Sequence, residues 1–367
     1  MTEANAKIPV VLLGGGHAHV EEVRLLGQMG LGAQITLVSP SRYAPYSGML
    51  PGHISGEYGF DDFHIDLATL CARAGGAFAE TTATAIDPER RVVSVASGQN
   101  LGYGLLSIDI GSTPILPDGI SAGISVKPIA SFADRLARLD ALAPEGWLST
   151  IAVVGQGVAG VEVAFALRRR FSGRDIRIIL VGRAAEPVPE RSRRARHLLE
   201  RELRRAAIAH HPAFDVVAFH DAELVARDGR RLAVNEVIWT TSSGAPAFLR
   251  ETGLLLDQNG FIRVDDTLRS LSHPDVFAAG DVASLPSPRP KAGVFAVRQG
   301  PVLAENIRRS LCGEAPLSYQ PQRQWLALIS LADGRAIADK WNIAVAGRWV
   351  AKWKHRIDCR FMRKYRE

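Results

Sequence analysis

The sequence predicts an α/β chain made of two Rossmann-like dinucleotide-binding units and a basic C-terminal region. Three observations predict it. Short apolar runs of strand length alternate with helical stretches along most of the 367 residues. A strand–glycine–helix pattern occurs twice, as "VVLLGGGHAHVEEVRLL" from residue 10 and "IAVVGQGVAGVEVAFAL" from residue 151. Each copy is followed about 20 residues on by a second strand, "ITLVSP" or "IRIILVGR", the spacing of a βαβ unit that grips a dinucleotide.

The totals agree with this class. A chain of 367 residues suits two or three domains, and 47% apolar residues can fill their cores. Cys71, Cys312 and Cys359 show no paired spacing, so a disulfide scaffold is not expected and a reducing, cytoplasmic setting fits. The opening "MTEANAKIP" is short and polar and predicts no secretion signal. No charge-free apolar stretch is long enough for a membrane span. The net charge of +6 is concentrated: residues 341–367 hold eight Lys and Arg against two Asp and Glu, so the remainder is neutral. That placement argues against a nucleic-acid-coating protein.

In order along the chain, "VVLL", "ITLV", "LLSIDIG", "IAVVG", "IRIILVG" and "EVIWTT" read as strands. "DLATLCARAG" reads as a helix burying Cys71, and "LAPEGWLST" (142–150) as a linker before the second unit. In a dinucleotide turn the first glycine permits the bend, the second admits the pyrophosphate, and the third lets helix and strand pack closely. The second copy is complete, with Gly155, Gly157 and Gly160, then Glu162. The first keeps Gly14 and Gly16 but has His19 in the third place. His19 is therefore expected to widen the packing without abolishing binding. The second strands end in Ser39 and in Gly182-Arg183, not in the acid that takes ribose hydroxyls. Arg183, with "ERSRRARH" (190–197), suits a 2′-phosphate and leans toward NADPH over NADH; the other reading is a solvated arginine face.

Later segments add a family resemblance. "HPDVFAAGDVASLP" (273–286) resembles the stretch that closes the flavin site in two-dinucleotide flavoproteins. "LLSIDIGSTP" (105–114) and "EVIWTTSSGAPAFL" (236–249) resemble their two crossings between domains. With both turns, these cover about residues 8–310 in the right order, and the chain resembles the FAD/NAD(P)-dependent pyridine nucleotide-disulfide oxidoreductase superfamily. "PYSGMLPG" and "PKAGVFAVRQGPVLAENI" are most similar to its branch of type II NADH dehydrogenases and sulfide:quinone oxidoreductases. "GGGHAHVE", "PYSGMLPG" and "SVKPI" also resemble flavoprotein domains fused to selenide, water dikinase.

The resemblance implies a discontinuous FAD domain (1–120 and 244–312), an NAD(P) domain (121–243) and a C-terminal region (313–367). It gives the FAD pyrophosphate to Gly14, Gly16 and Ala18, the adenosine end to Ser39 and Arg42, and the adenine to the Ala83 backbone. Pro45, Ser47 and Gly48 would pass beside the flavin ring. Gly111, Ser112 and Gly244 mark the crossings, and Gly280 and Asp281 would meet the ribityl chain. Ala292 and Gly293 open a helix that faces the flavin with its positive end. Lys291 would add charge there, and Glu162 would lie near the nicotinamide.

The implied reaction passes a hydride from NAD(P)H to FAD and two electrons on to a quinone or other small acceptor. Two alternatives stand beside it: a flavin-binding partner of a selenium or electron-transfer system, and a sulfide:quinone oxidoreductase-like enzyme. "SRYAPYSGML" carries no cysteine, which argues against a redox disulfide, and the three cysteines match the sulfide enzymes' positions poorly. His17 and His19 lack a further ligand for a metal. In the tail, Trp349, Trp353, Ile357, Phe361 and Tyr365 recur every four residues, predicting a basic amphipathic helix with one apolar stripe. Three partners suit it: the inner face of the cell membrane, the chain's own core, and a second subunit of a homodimer.

Overall fold

The computed structural model describes residues 8–30, 33–117, 119–143, 148–241 and 243–366. The start "MTEANAK", linker residues 144–147 and Ser242 of the second crossing lie outside them.

Two five-stranded parallel sheets organise the chain. The first runs Val276–Ala278, Leu105–Ile108, Pro9–Leu13, Gln34–Ser39, Ala77–Glu80. The second runs Ile124–Ser125, Glu236–Trp239, Thr150–Val154, Arg177–Val181, Ala209–His211. In each, the strand that leads into a glycine turn is the middle one, and both middle strands are buried along nearly their whole length. That is how a parallel sheet covered on both faces reads in sequence, as an unbroken apolar run.

The duplication goes further than the two turns. After its fifth strand each unit makes a three-stranded antiparallel meander, 83–102 in the first and 216–233 in the second, before returning to its sheet. The two crossing segments pair with each other, Thr113 with Gly244 and Pro114 with Ser243.

The helix Gly293–Leu311 packs along the first helix, His17–Met29. Gly300 makes this approach possible, because a Cβ there would lie 2.7–2.8 Å from the Glu21 side chain and the Ala18 carbonyl. Cys71 is buried in the helix Leu67–Arg73, and Cys312 caps the helix Gly293–Leu311.

The C-terminal region joins the two units. A three-stranded antiparallel sheet, Ala327–Ser330, Ala336–Lys340 and Ile343–Gly347, sits on the second unit. Asp339, buried there, pairs with Arg191 and accepts from the Ser192 hydroxyl, while Arg335 pairs with Glu202. The helix Arg348–Arg366 then crosses to the first unit, where Lys364 and Tyr365 both reach Glu21.

That helix corrects the single-stripe expectation. Each four-residue step turns about 40° beyond a full circle, so five residues spaced by four wind about 160° around the axis. Trp349, Trp353 and Ile357 stay exposed, whereas Tyr365 is buried and Phe361 stacks on Tyr46 at 4.2 Å. The inner face is completed by Val350, Asp358 and Met362. The outer tryptophans share their face with exposed Lys352, Arg356 and Arg360.

Candidate functional site

At the first turn Gly14 takes φ +95°, and its N–H donates to Val38. Gly16 precedes the helix in extended backbone. The Ala18 N–H points at a side chain that sequence reasoning overlooked: Asp109 Oδ2 accepts it at 2.8 Å and accepts the His19 N–H at 3.2 Å. Burial pushes the Asp109 carboxyl up to about 7, Asp281 adds to the rise, and the two N–H donors oppose it. Nothing local in "LLSIDIGSTP" marks this aspartate as the partner of a helix about 90 residues earlier.

His19 is fully buried beneath this turn. Its Nδ1–H donates to the Gly14 carbonyl at 2.7 Å, which leaves Nε2 to accept from the Ser107 hydroxyl at 2.8 Å. Glu22 lies 3.3 Å from the same hydroxyl, and burial pushes its carboxyl well up. Ser, His and acid are thus together, but with no access to solvent they form a packing network.

Farther along, Ser39 is buried and its carbonyl accepts from Thr81. Arg42 lies at the surface, forked onto Asp66. Ala83 begins the first meander opposite Val95. Pro45 ends a short strand, and Ser47 follows within 3.3 Å of His17 Nε2. Gly293 meets both: a Cβ there would lie 3.2 Å from Ser47 Oγ and 3.6 Å from His17. The positive end of the helix Gly293–Leu311, preceded by Ala292, therefore abuts His17 and Ser47. Burial pushes His17 down to about 4.

Where the units meet, Lys127 makes a polar knot. Its ammonium donates to Asp281 at 2.7 Å, to Ser112 at 2.9 Å and to Ser243 at 3.1 Å. It thereby ties both crossings to the segment Gly280–Val282. Burial works to raise the Asp281 carboxyl, but Lys127, Ser112 and Lys291 outweigh it and hold it below its usual range. Gly111 and Gly280 take φ +72° and +66° around this knot. Lys127 was visible in "SVKPI" but carried no role, since nothing local marks a lysine as the partner of an acid 154 residues away. Lys291 faces a cavity of about 520 Å³ shared with Asp281, Gly280 and Ala292. Its ammonium donates to the Ala283 carbonyl and lies over the Phe261 ring, and burial pushes it down to about 8.

The second turn is tighter than the first. Gly155 takes φ +117°, and a Cβ at Gly160 would fall 1.8 Å from the Gly155 carbonyl oxygen. Gly157 precedes the helix Val158–Arg170, whose Val158 N–H donates to exposed Glu190. Gln156 braces the turn by donating to Ala184 and Glu186. Arg183 is exposed; within 190–197, Arg191 and Arg196 are taken up by Asp339 and Glu186, while Arg193 and Arg194 are exposed.

Two glycine turns on twin parallel sheets, with a shared polar joint, match a known family model. Residues 8–300 match the model described as pyridine nucleotide-disulphide oxidoreductase. The chain belongs to this family. Family membership implies FAD and NAD(P)H as the bound dinucleotides. An NADH dehydrogenase-like protein of Mycobacterium tuberculosis is 29% identical over 233 residues, covering 60% of this chain and 58% of the relative, so the match spans little more than half of that relative's length. The demethylphylloquinone reductase NdbB of Synechocystis is 25% identical, covering 89% of this chain and 86% of the relative. Among solved structures, the sulfide:quinone oxidoreductase of Aquifex aeolicus superposes with a TM-score of 0.83 at 18% identity, over 98% of this chain and 92% of that one, a likeness of fold.

The family's flavin fits the residues present. The first turn offers glycine backbone at a helix N-terminus, Asp281 is a fixed carboxylate at the joint, and the helix Gly293–Leu311 directs its positive end at Ser47 and His17. No redox disulfide accompanies it, since the three cysteines are free and far apart in sequence.

Glu162 belongs to a second cluster. Its carboxylate accepts the Ser330 N–H at 2.8 Å, and burial pushes it up to about 7, with Lys354 opposing. Lys354 donates to the Gly48 carbonyl at 2.5 Å and to Asp358 at 2.7 Å. The tail helix thus places a cation and an acid against the Pro45–Gly48 segment. The sequence showed Lys354 and Asp358 only as members of a charged helix.

Proposed function

We propose that this chain is an FAD-dependent NAD(P)H:quinone oxidoreductase working at a membrane surface. The observation that carries the reading is the Lys127 knot, which joins both crossings to Asp281 and so couples the two nucleotide units at one point. In this reading residues 1–120 and 244–312 hold FAD, through Gly14, Gly16, Ser112, Gly280 and Asp281. Residues 121–243 hold NAD(P)H, through Gly155, Gly157 and Gly160. Bound FAD supplies the two-electron chemistry that no side chain here offers.

The chain's own groups orient and charge the site. Lys127, Lys291 and the N-terminus of the helix Gly293–Leu311 favour negative charge beside Asp281 and Ser47. Glu162, titrating at about 7, can hold or release a proton near neutrality, with Asp358, Lys354 and Tyr46 around it. A quinone takes up two protons with its two electrons, so a proton-holding cluster suits that acceptor. The kinship with a demethylphylloquinone reductase supports the same acceptor class, and that with an NADH dehydrogenase-like protein supports the nucleotide donor. Cys359 follows Asp358 in the tail helix as a single thiol, while Cys71 is buried in the helix Leu67–Arg73 and Cys312 ends the helix Gly293–Leu311, so no pair of cysteines serves this cluster, which weighs against sulfide chemistry.

Exposed Arg183, Arg193 and Arg194 support NADPH over NADH. No helix among the described residues is long and apolar enough to cross a membrane. The outer face of the tail helix, with Trp341, Ile343 and Val345 exposed beside it, supports peripheral docking on anionic lipid, as at the inner face of the cell membrane.

The test is an anaerobic absorbance titration. The purified chain is expected to show a flavin band near ~450 nm that bleaches with NADPH faster than with NADH and returns on adding a quinone. A band that neither nucleotide bleaches would sink the reductase reading and favour the flavin-binding partner protein. Bleaching that a quinone does not reverse would reject the acceptor.

A further inference from the structure

At the first helix, the position of an anionic cofactor group is already held by a side chain. Asp109 accepts the N–H groups of both Ala18 and His19. Its carboxyl is wedged between two glycines: a Cβ on Gly16 or on Gly280 would fall 2.2 Å from its oxygens. At 3% exposure it has no route to solvent, unlike Glu190 at the second helix, which is exposed and can turn aside. The proposed function assigns Gly16 and Gly280 to FAD, and the family resemblance gives Ala18 to its pyrophosphate. Two like charges on one buried helix end repel strongly.

We propose that Asp109 is a positioning residue that accommodates the FAD pyrophosphate only as the neutral acid, donating a hydrogen bond to a phosphate oxygen, so that FAD binding takes up a proton. This inference rests on the reading that the first turn holds FAD. Of the groups around Asp109 it is the one that titrates at about 7, while Lys291, in the cavity shared with Gly280 and Asp281, follows at about 8. His19 and Glu22 approach from its own helix contacts, His17 from the helix start, and Asp281 with Lys127 from the joint. The helix Gly293–Leu311 contributes only the neutral Gln299, which accepts the Gly280 N–H. Both histidines are neutral above about pH 4. Glu22 bonds to Ser107 and not to the helix N–H groups. Asp109 itself changes charge at about 7.

The experiment is an FAD titration of the full chain at pH 6, 7, 8 and 9, followed by flavin fluorescence. Calorimetry at pH 8 in buffers of different ionisation enthalpy counts protons. The expected result is a Kd that rises about tenfold per pH unit above 7 with close to one proton taken up per FAD, because only the neutral fraction binds. Asp109→Asn is expected to bind FAD with a profile flat from pH 6 to 7 and without the tenfold rise that begins at 7, any dependence left near pH 8 belonging to Lys291, which is pushed down to about 8. FAD binding by the wild-type chain with a flat profile and no proton uptake overturns the Asp109 inference alone. No FAD binding at any pH overturns the flavin reading with it. Should Asp109→Asn not fold, the same profile and proton count in Lys291→Met decide the matter, because this variant removes the other group that titrates near pH 8 and keeps Asp109.

Discussion

His19 Nδ1 lies 2.7 Å from the carbonyl oxygen of Gly14, so the residue that replaces the packing glycine bonds to the glycine that opens the same turn. In the second turn the equivalent pair, Gly160 and Gly155, is too close for any side chain. The first turn is opened by an imidazole that then fills the gap and satisfies both neighbouring polar groups. A glycine at 19 would restore the motif yet leave a cavity and strand Ser107. His19→Gly is expected to cost about 2–4 kcal/mol in denaturant unfolding while the folded protein still retains flavin. Complete loss of flavin with the fold intact would refute a packing role.

The same buried ring has a pH signature. Folded, His19 titrates at about 4; unfolded, near its ordinary 6.5. Between these values the unfolded chain holds the extra proton, so His19's contribution is complete above 6.5 and is lost as pH falls toward 4. Asp109 and Glu162, pushed up to about 7, act in the opposite sense, since the folded state keeps their protons as pH rises from about 4 to 7. The effect must therefore be read by difference. The stability gap between wild type and His19→Gln is expected to shrink by up to about 1.4 kcal/mol per unit below pH 6.5. A constant gap across pH 4–7 would show that the ring does not titrate this way.

Lys127→Met removes the ammonium that holds Asp281 against Ser112 and Ser243. Stopped-flow reduction of the bound flavin by NAD(P)H is expected to slow about tenfold, equal to 1.4 kcal/mol of lost transition-state stabilisation. Lys127→Arg should recover part of that rate. An unchanged rate in Lys127→Met would remove the knot from the reaction.

Glu190 holds a negative charge on the Val158 N–H, where a pyridine nucleotide's pyrophosphate would compete. A single charge at an exposed helix end is worth about 0.3–1 kcal/mol. Glu190→Gln is expected to lower the KM for NAD(P)H about two- to fivefold with kcat unchanged. A raised KM would mean that the carboxylate helps the nucleotide.

The tail helix makes two separable predictions. Substituting Arg356 and Arg360 by Gln should weaken binding to anionic vesicles about fivefold per charge, from roughly 1 kcal/mol each, with no change in thermal unfolding. Met362→Ala, on the buried face, should cost about 2–4 kcal/mol of stability and leave vesicle binding alone. Removing the whole helix tests neither, because it would also uncover Glu21 and Tyr46. Vesicle binding indifferent to the arginines would exclude an electrostatic lipid contact.

The sequence by itself determined the α/β class, the strands that lead into both turns, the complete second glycine motif and the basic tail helix. These are local signals. Apolar runs of strand length, glycines at fixed offsets and four-residue spacing are set by backbone geometry within a dozen residues. Tertiary structure alone decided which charges meet. Asp109 reaches Ala18 across 91 residues, Lys127 reaches Asp281 across 154, and Lys354 reaches Gly48 across 306. Strand pairing within the first sheet brings the first pair together, the meeting of the two units the second, and the crossing of the tail helix to the first unit the third. The tail shows the same division within one helix. Its periodicity was written in the sequence, but the slow winding of a four-residue repeat meant that packing against Tyr46 and Glu21 chose which aromatics turned inward and which faced out.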